Sequence, residues 1–396
     1  MSAALELPLH DPDFYRGEPW DGYRALRERS PVHWHAAGGF WVLSRWADIR
    51  WASSRPDLFS NRQGIMIPDA AEIGPAELDL MLFTDPPRHR ELRRRIRDFF
   101  APRRIRALEP RIREIARALI EPLPRGAVFE FVDRVAAPLP TIVIAELLGV
   151  PARDAGDFRR WSDAIIGELD PQHAGQRAGA LQALHAYFLE IIADRRRAPR
   201  EGDFVSGLLA PPLDGAALSE NDVYCMCWLL LTAGNETTRN LIAQGAHALL
   251  GHPAELERLR AQPAAIPRAV EEMLRWCTPS TYMARTTTRD VELRGQRIGA
   301  GQKVILLYAA ANRDSEVFGP DAEAFRCARD PNPHLSFGHG EHVCMGAGLA
   351  RLEARVCFEE LLPQLGSAAL AGPVTRLRAT MTPGIVRFPL RLGTAG

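Results

Sequence analysis

"FGHGEHVCMGAGLAR", residues 337–351, sets one cysteine, Cys344, between a glycine- and histidine-rich loop and a helix-like segment, "AGLARLEARVCFEELL". A thiol just ahead of a helix lies where the free N–H groups of the first turn favour its thiolate form. Gly338, Gly340 and Gly346 around it are what close backbone approach to something large and flat requires. Phe337 is placed to pack beside the sulfur. The ordinary role of a lone cysteine is that of a small buried hydrophobe, and glycines on both sides make that role a poor fit.

The rest of the chain narrows the choice. It has 396 residues, 46% hydrophobic and 25% charged, enough for a large core. Formal net charge is zero, which gives no reason for a nucleic-acid or anionic-membrane partner. Lys303, the one lysine, lies outside any Gly-rich phosphate loop, which argues against a P-loop enzyme and against lysine Schiff-base chemistry. "MSAALELPLHDPDFYRG" has no basic n-region, and no stretch reaches about 18 uninterrupted apolar residues. The six cysteines lack paired spacing and read as reduced thiols. A cytoplasmic protein without signal peptide or membrane anchor is expected.

The pattern is mainly helical with a small β portion. "PVHWHAAGGFWVLSR" (31–45) reads as a hairpin around Gly38-Gly39, and 60–82 as a long irregular loop. Helices are predicted in "DPPRHRELRRRIRDFF", in "RRIRALEPRIREIARALIEPL" with Pro110 disturbing its first turn, and in 138–150, 152–169 and 176–197. The longest spans about 219–250, with Ser219 and Asp222 as a capping box and a stop at Gly251 and Pro253. It is apolar nearly all round near its middle, as a helix buried through a core would be. Helices at 253–261 and 264–276, strands from Thr281 to Ala309, coil over 314–333, a helix over 345–364 and short final strands complete one single-domain body, residues 1–396.

Three chemistries fit Cys344: zinc, a nucleophilic thiolate, and an axial thiolate on a haem. His334, His339 and His342 stand close by, yet structural zinc sites draw paired ligands from two elements and no second pair is present. A nucleophile needs a histidine base that spacing alone does not identify. Phe337-Gly338-x-Gly340-x-His342-x-Cys344-x-Gly346, with Leu349-Ala350-Arg351 behind it, resembles the haem-binding loop (337–346) of the cytochrome P450 family. In that family the cysteine thiolate is the fifth ligand of haem iron.

The resemblance spans essentially the whole chain, and what it implies follows in chain order. His89 and Arg93 match the family's His-x-x-x-Arg, which with Arg285 and His342 serves the two haem propionates. Phe337, Gly338, Gly346 and Ala233 would border the haem. "AGNETT" (233–238) resembles the oxygen-activating stretch of the long helix, Thr237 and Glu236 being the residues that handle protons there. The alternative for Thr237 is a hydroxyl bonded back to the Ala233 carbonyl; Asn235 has no assigned role. Glu272 and Arg275, i and i+3 on one helix, match the family's buried pair, with Arg329 as its third member.

A haem-thiolate monooxygenase is thus implied. It would hold haem b, use O2, and take NAD(P)H electrons from a ferredoxin and its reductase, the arginines around Arg88–Arg97 suiting an acidic partner. A monomer is expected. The substrate pocket would involve Ile65, Met66, Leu82, Leu230, Thr281, Tyr282, Met283 and Met381, a mostly apolar lining for a small lipophilic molecule. "EFVDRVAAPLPTIVIAELLGV" and "RWSD" are similar to members acting on steroids and terpenoids; a macrolide or aromatic substrate stays open. The rival functions are a haem-thiolate sensor and a cysteine hydrolase.

Overall fold

The Ser219 hydroxyl accepts from the Asp222 N–H and the Asp222 carboxylate accepts from the Ser219 N–H, each at 3.0 Å. The predicted box therefore forms, and it opens a helix over Glu220–Gly251, the longest in a computed structural model describing residues 5–67, 79–167, 170–211 and 216–394. This central helix is buried along most of its length, packed by helices Pro138–Leu147, Ala155–Ile166, Ile266–Cys277 and Ala347–Leu365. Its composition explains this placement: with apolar residues on every side, no face of it is suited to water.

The hairpin lies where expected, Val32–His35 paired antiparallel with Phe40–Leu43, and Gly39 turns it at φ +65°. Phe40–Leu43 continues parallel to Lys303–Leu306, followed by antiparallel Met283–Thr287 and then Phe59–Ser60, five strands in all. The alternation of strand side chains then sorts residues 282–285. Met283 and Arg285 face the cavity described below, while Tyr282 and Ala284 enter a second apolar cluster with Phe40, Val42 and Ile305.

Three local expectations change. Pro110 does more than disturb a turn: helices Pro102–Ala107 and Glu109–Ile120 are separate, because proline lacks the N–H and clashes with the carbonyl a turn earlier. The coil over 314–333 contains a helical turn, Ser315–Phe318. Of the 60–82 loop, residues 68–78 lie outside the described residues, and its end forms a 3-10 turn, Met81–Phe83. No described helix is long and apolar enough to cross a membrane.

Candidate active site

Cys344 sits in the loop between a 3-10 turn, Gly340–His342, and the helix Ala347–Leu365. Its N–H donates to the Phe337 carbonyl at 2.9 Å, which fixes the aromatic residue and the cysteine to one another. The sulfur is exposed, but to an internal cavity instead of bulk water, so burial raises its pKa. The N–H groups of Gly346 and Ala347 and the charges of Arg93 and Arg351 oppose that rise. No histidine among the described residues hydrogen-bonds the sulfur, and no three described His, Cys, Asp or Glu side chains gather to hold a metal ion. Two of the three histidines near Cys344 are engaged elsewhere: His334 meets Glu271 at 3.1 Å and His339 meets Arg50 at 3.4 Å.

The cavity lies between the Cys344 loop and the central helix, with about 1480 Å³ free of protein atoms, part of it open to solvent. One wall carries His89, Arg93, Arg285 and His342. The two imidazoles lie 4.0 Å apart between ring centres, and His89 Nδ1 and His342 Nε2 are buried without hydrogen-bond partners. Among the described residues neither Arg93 nor Arg285 has a carboxylate in an ion pair; Arg285 donates to the Ala284 carbonyl at 2.7 Å. Burial depresses the pKa of all four groups, His342 to about 2. Four donors crowded on a dry wall are costly unless an anion meets them. A flat molecule with two carboxylates beside a thiolate-ligated centre satisfies that requirement, so the residues present fit haem b.

The glycines divide their work. Gly338 (φ +70°) lies on the cavity, where a Cβ would come 3.6 Å from the Tyr308 hydroxyl. Gly340 (φ +74°) instead makes room for protein: a Cβ there would stand 2.1 Å from the Ser53 carbonyl oxygen. Gly346 lies on the cavity with only the Cys344 sulfur nearby, at 3.9 Å.

On the central helix, Leu230, Ala233, Thr237 and Leu241 face the cavity at helical spacing. The Thr237 hydroxyl donates to the Ala233 carbonyl at 2.8 Å, the back-bond weighed from the sequence. Glu236 does not line this cavity. It turns to the adjoining face of the helix, fully buried, and pairs with Arg239, which also meets Asp163 at 2.5 Å. Burial raises the Glu236 pKa, the Arg239 charge opposes it, and Glu236 Oε1 keeps no hydrogen-bond partner. Asn235 gains a role, its Oδ1 lying 2.8 Å from the Thr141 hydroxyl of the crossing helix. Gly234 serves that crossing too, since a Cβ would stand 2.6 Å from Ile144 Cδ1.

Glu272 and Arg275 form a bidentate pair with both bonds at 2.7 Å and both side chains fully buried; Arg329 reaches Glu272 at 3.2 Å. Of the residues proposed for the substrate, Leu82, Leu230 and Met283 line the cavity, and Ile65, Met66, Thr281, Tyr282 and Met381 do not. Ile65, Met66 and Met381 pack with the core. Thr281 is held at its N–H by the Met381 carbonyl, and the Tyr282 hydroxyl is 2.7 Å from that of Thr380.

Sequence reasoning missed Glu353, Arg239, Asp163 and Glu271. Glu353 is fully buried at the cavity, Oε2 lacks a partner, and burial pushes its pKa up to about 8. Its position nine residues after Cys344, on the apolar side of a helix, was the available signal.

A family model described as Cytochrome P450 matches residues 164–365. The chain is 37% identical to a vitamin D(3) 25-hydroxylase of Pseudonocardia autotrophica, over 96% of each chain. It is 34% identical to a methyl-branched lipid omega-hydroxylase of Mycobacterium bovis, over 97% of this chain and 95% of the relative. A Bacillus megaterium protein solved in complex with testosterone matches at a TM-score of 0.88 and 30% identity, over 96% of this chain and 99% of that one.

Proposed function

The chain belongs to the cytochrome P450 family and is a monooxygenase; on that premise we propose that it hydroxylates a C–H bond of a small, steroid- or terpenoid-like substrate, with electrons from a ferredoxin. One observation carries the reading of the site: Cys344, two imidazoles with orphaned nitrogens, two guanidinium groups without a carboxylate partner among the described residues, and Thr237 face a single cavity.

Cys344 would ligate the iron of haem b, and His89, Arg93, Arg285 and His342 would take its two carboxylates. Haem bound there supplies reductive activation of dioxygen and transfer of one oxygen atom to carbon. The chain's own part is placement, dryness and protons. Leu82, Leu230 and Met283 hold an apolar substrate and exclude water. Thr237 holds a proton at Oγ1, on the cavity surface, and must leave the Ala233 carbonyl to donate it inward. Glu236 can refill Thr237 only after releasing Arg239 and taking up a proton from solvent, and Asp163, the second carboxylate on Arg239, keeps the guanidinium matched while it does so.

The reading of the substrate is supported by the apolar lining and by relatives whose names specify vitamin D(3) and a methyl-branched lipid. For the electron donor, Arg88, Arg90 and Arg95 are engaged within the protein, by Glu91 and Asp222, by Glu341, and by the Leu208 and Ala210 carbonyls. Arg97 pairs with Asp98; exposed Arg94 remains, with Arg103, Arg104 and Arg106 on the helix Pro102–Ala107, whose Ile105 packs near Gly348, four residues from Cys344. An acidic ferredoxin docked there would lose rate as salt rises.

The reduced protein with carbon monoxide should give a strongly red-shifted Soret band, and its absence would refute the thiolate ligand. Thr237→Ala should keep that band and divert most electrons from product to peroxide or water. Unchanged coupling would remove Thr237 from the proton path. Steroid and terpenoid titrations of the ferric Soret band test the substrate class.

A further inference from the structure

Glu271 draws together three parts of the chain around the Cys344 loop. Arg351 binds it through both ends of the fork, Nε to Oε1 at 2.8 Å and Nη2 to Oε2 at 2.9 Å, and His334 Nε2 lies 3.1 Å from Oε2. Burial would raise the Glu271 pKa, but these partners hold it down at about 2. The same Arg351 guanidinium stands 4.5 Å over the Phe337 ring, and the Phe337 carbonyl receives the Cys344 N–H at 2.9 Å. Arg351 and Glu271 are 42% and 29% exposed, and pairs that open to water add little to stability. A three-donor carboxylate, a planar fork and an aromatic stack aligned on one thiolate therefore call for a reason other than stability.

We propose that Arg351, held by Glu271, is a positioning residue that sets how strongly the Cys344 sulfur donates charge to the iron it ligates, and thereby the ease of reducing that iron. This rests on the haem-thiolate reading. The Arg351 charge draws electron density toward the sulfur and away from the metal, Glu271 tempers that charge, and the Phe337 stack fixes the distance.

The test equilibrates the haem-loaded protein with a redox dye and reads the ferrous-to-ferric ratio. Arg351→Gln should lower that ratio about fivefold or more, and Glu271→Gln, which leaves the guanidinium unmatched, should raise it by a similar factor. The double variant should return near the wild-type ratio. Opposite signs separate electrostatic positioning from mere loosening of the loop, which would move both variants the same way. Shifts in one direction, or none, with the red-shifted carbon monoxide band intact, overturn the inference while leaving the haem-thiolate reading in place. A wild-type protein without that band overturns both. If Glu271→Gln does not take up haem, Arg351→Lys decides: a ratio close to wild type supports the charge effect, and one as low as that of Arg351→Gln overturns it.

Discussion

Glu353 shows how one side chain can make stability depend on pH. Its carboxyl is fully buried without a partner for Oε2, and its pKa lies at about 8 against an ordinary 4.5. The folded protein thus prefers the neutral acid, whereas the unfolded chain ionises it freely. The stability tied to this group is fully present below pH 4.5 and is lost as pH rises through 8. Glu353→Gln keeps shape and hydrogen-bonding capacity without the charge. Between pH 5 and pH 8 it should gain on wild type by roughly 3 kcal/mol, read from denaturant midpoints at the two pH values. Parallel curves would mean that the carboxylate is already ionised in the folded protein. The Glu236–Arg239–Asp163 group is a contrasting case, in which burial again raises the pKa of an acid but a guanidinium beside it opposes the rise.

At the scale of elements, the Cys344 loop is held by contacts with other elements as much as by its own turn. Gly340 is left-handed at φ +74° and abuts the carbonyl of Ser53, at the end of helix Trp46–Ser53. Gly340→Ala should therefore lower stability by about 2 kcal/mol or more and loosen cofactor retention, measured by thermal melting and haem loss. Gly346→Ala, with ordinary backbone angles and no protein atom nearer than 3.9 Å, should melt close to wild type when both are haem-free. If the two variants melted alike, backbone packing would not be what Gly340 provides. The sequence motif groups these glycines together, because it records spacing and not which neighbour each one faces. Helix starts were more readable: the Ser219–Asp222 box needs only residues three apart, and it forms as expected.

Across the whole molecule, Glu272 ties the helix Ile266–Cys277 to the segment ahead of the cysteine loop. Besides Arg275 and Arg329 it accepts from the Arg326 N–H at 2.8 Å and from Asn332 Nδ2 at 3.1 Å. Glu272→Ala would leave the fully buried Arg275 without a carboxylate and Arg329 with Asp321 alone, an expected loss of about 3–5 kcal/mol with failure to retain haem, checked by melting and by the Soret absorbance. A loss below about 1 kcal/mol would reduce the group to an ordinary surface pair. The sequence by itself determined the helical character, the hairpin, the long buried helix and the cysteine loop, because periodicity, caps and motif spacing act over a few residues. Only the tertiary structure decided that Glu236 turns to Arg239 and Asp163 instead of the cavity, that Tyr282 leaves the site while Met283 enters it, and that Arg351 stacks on Phe337. Those outcomes depend on partners in other elements, such as Asp163 for Arg239 and Glu271 for Arg351, and chain spacing does not specify which of them packing brings within reach.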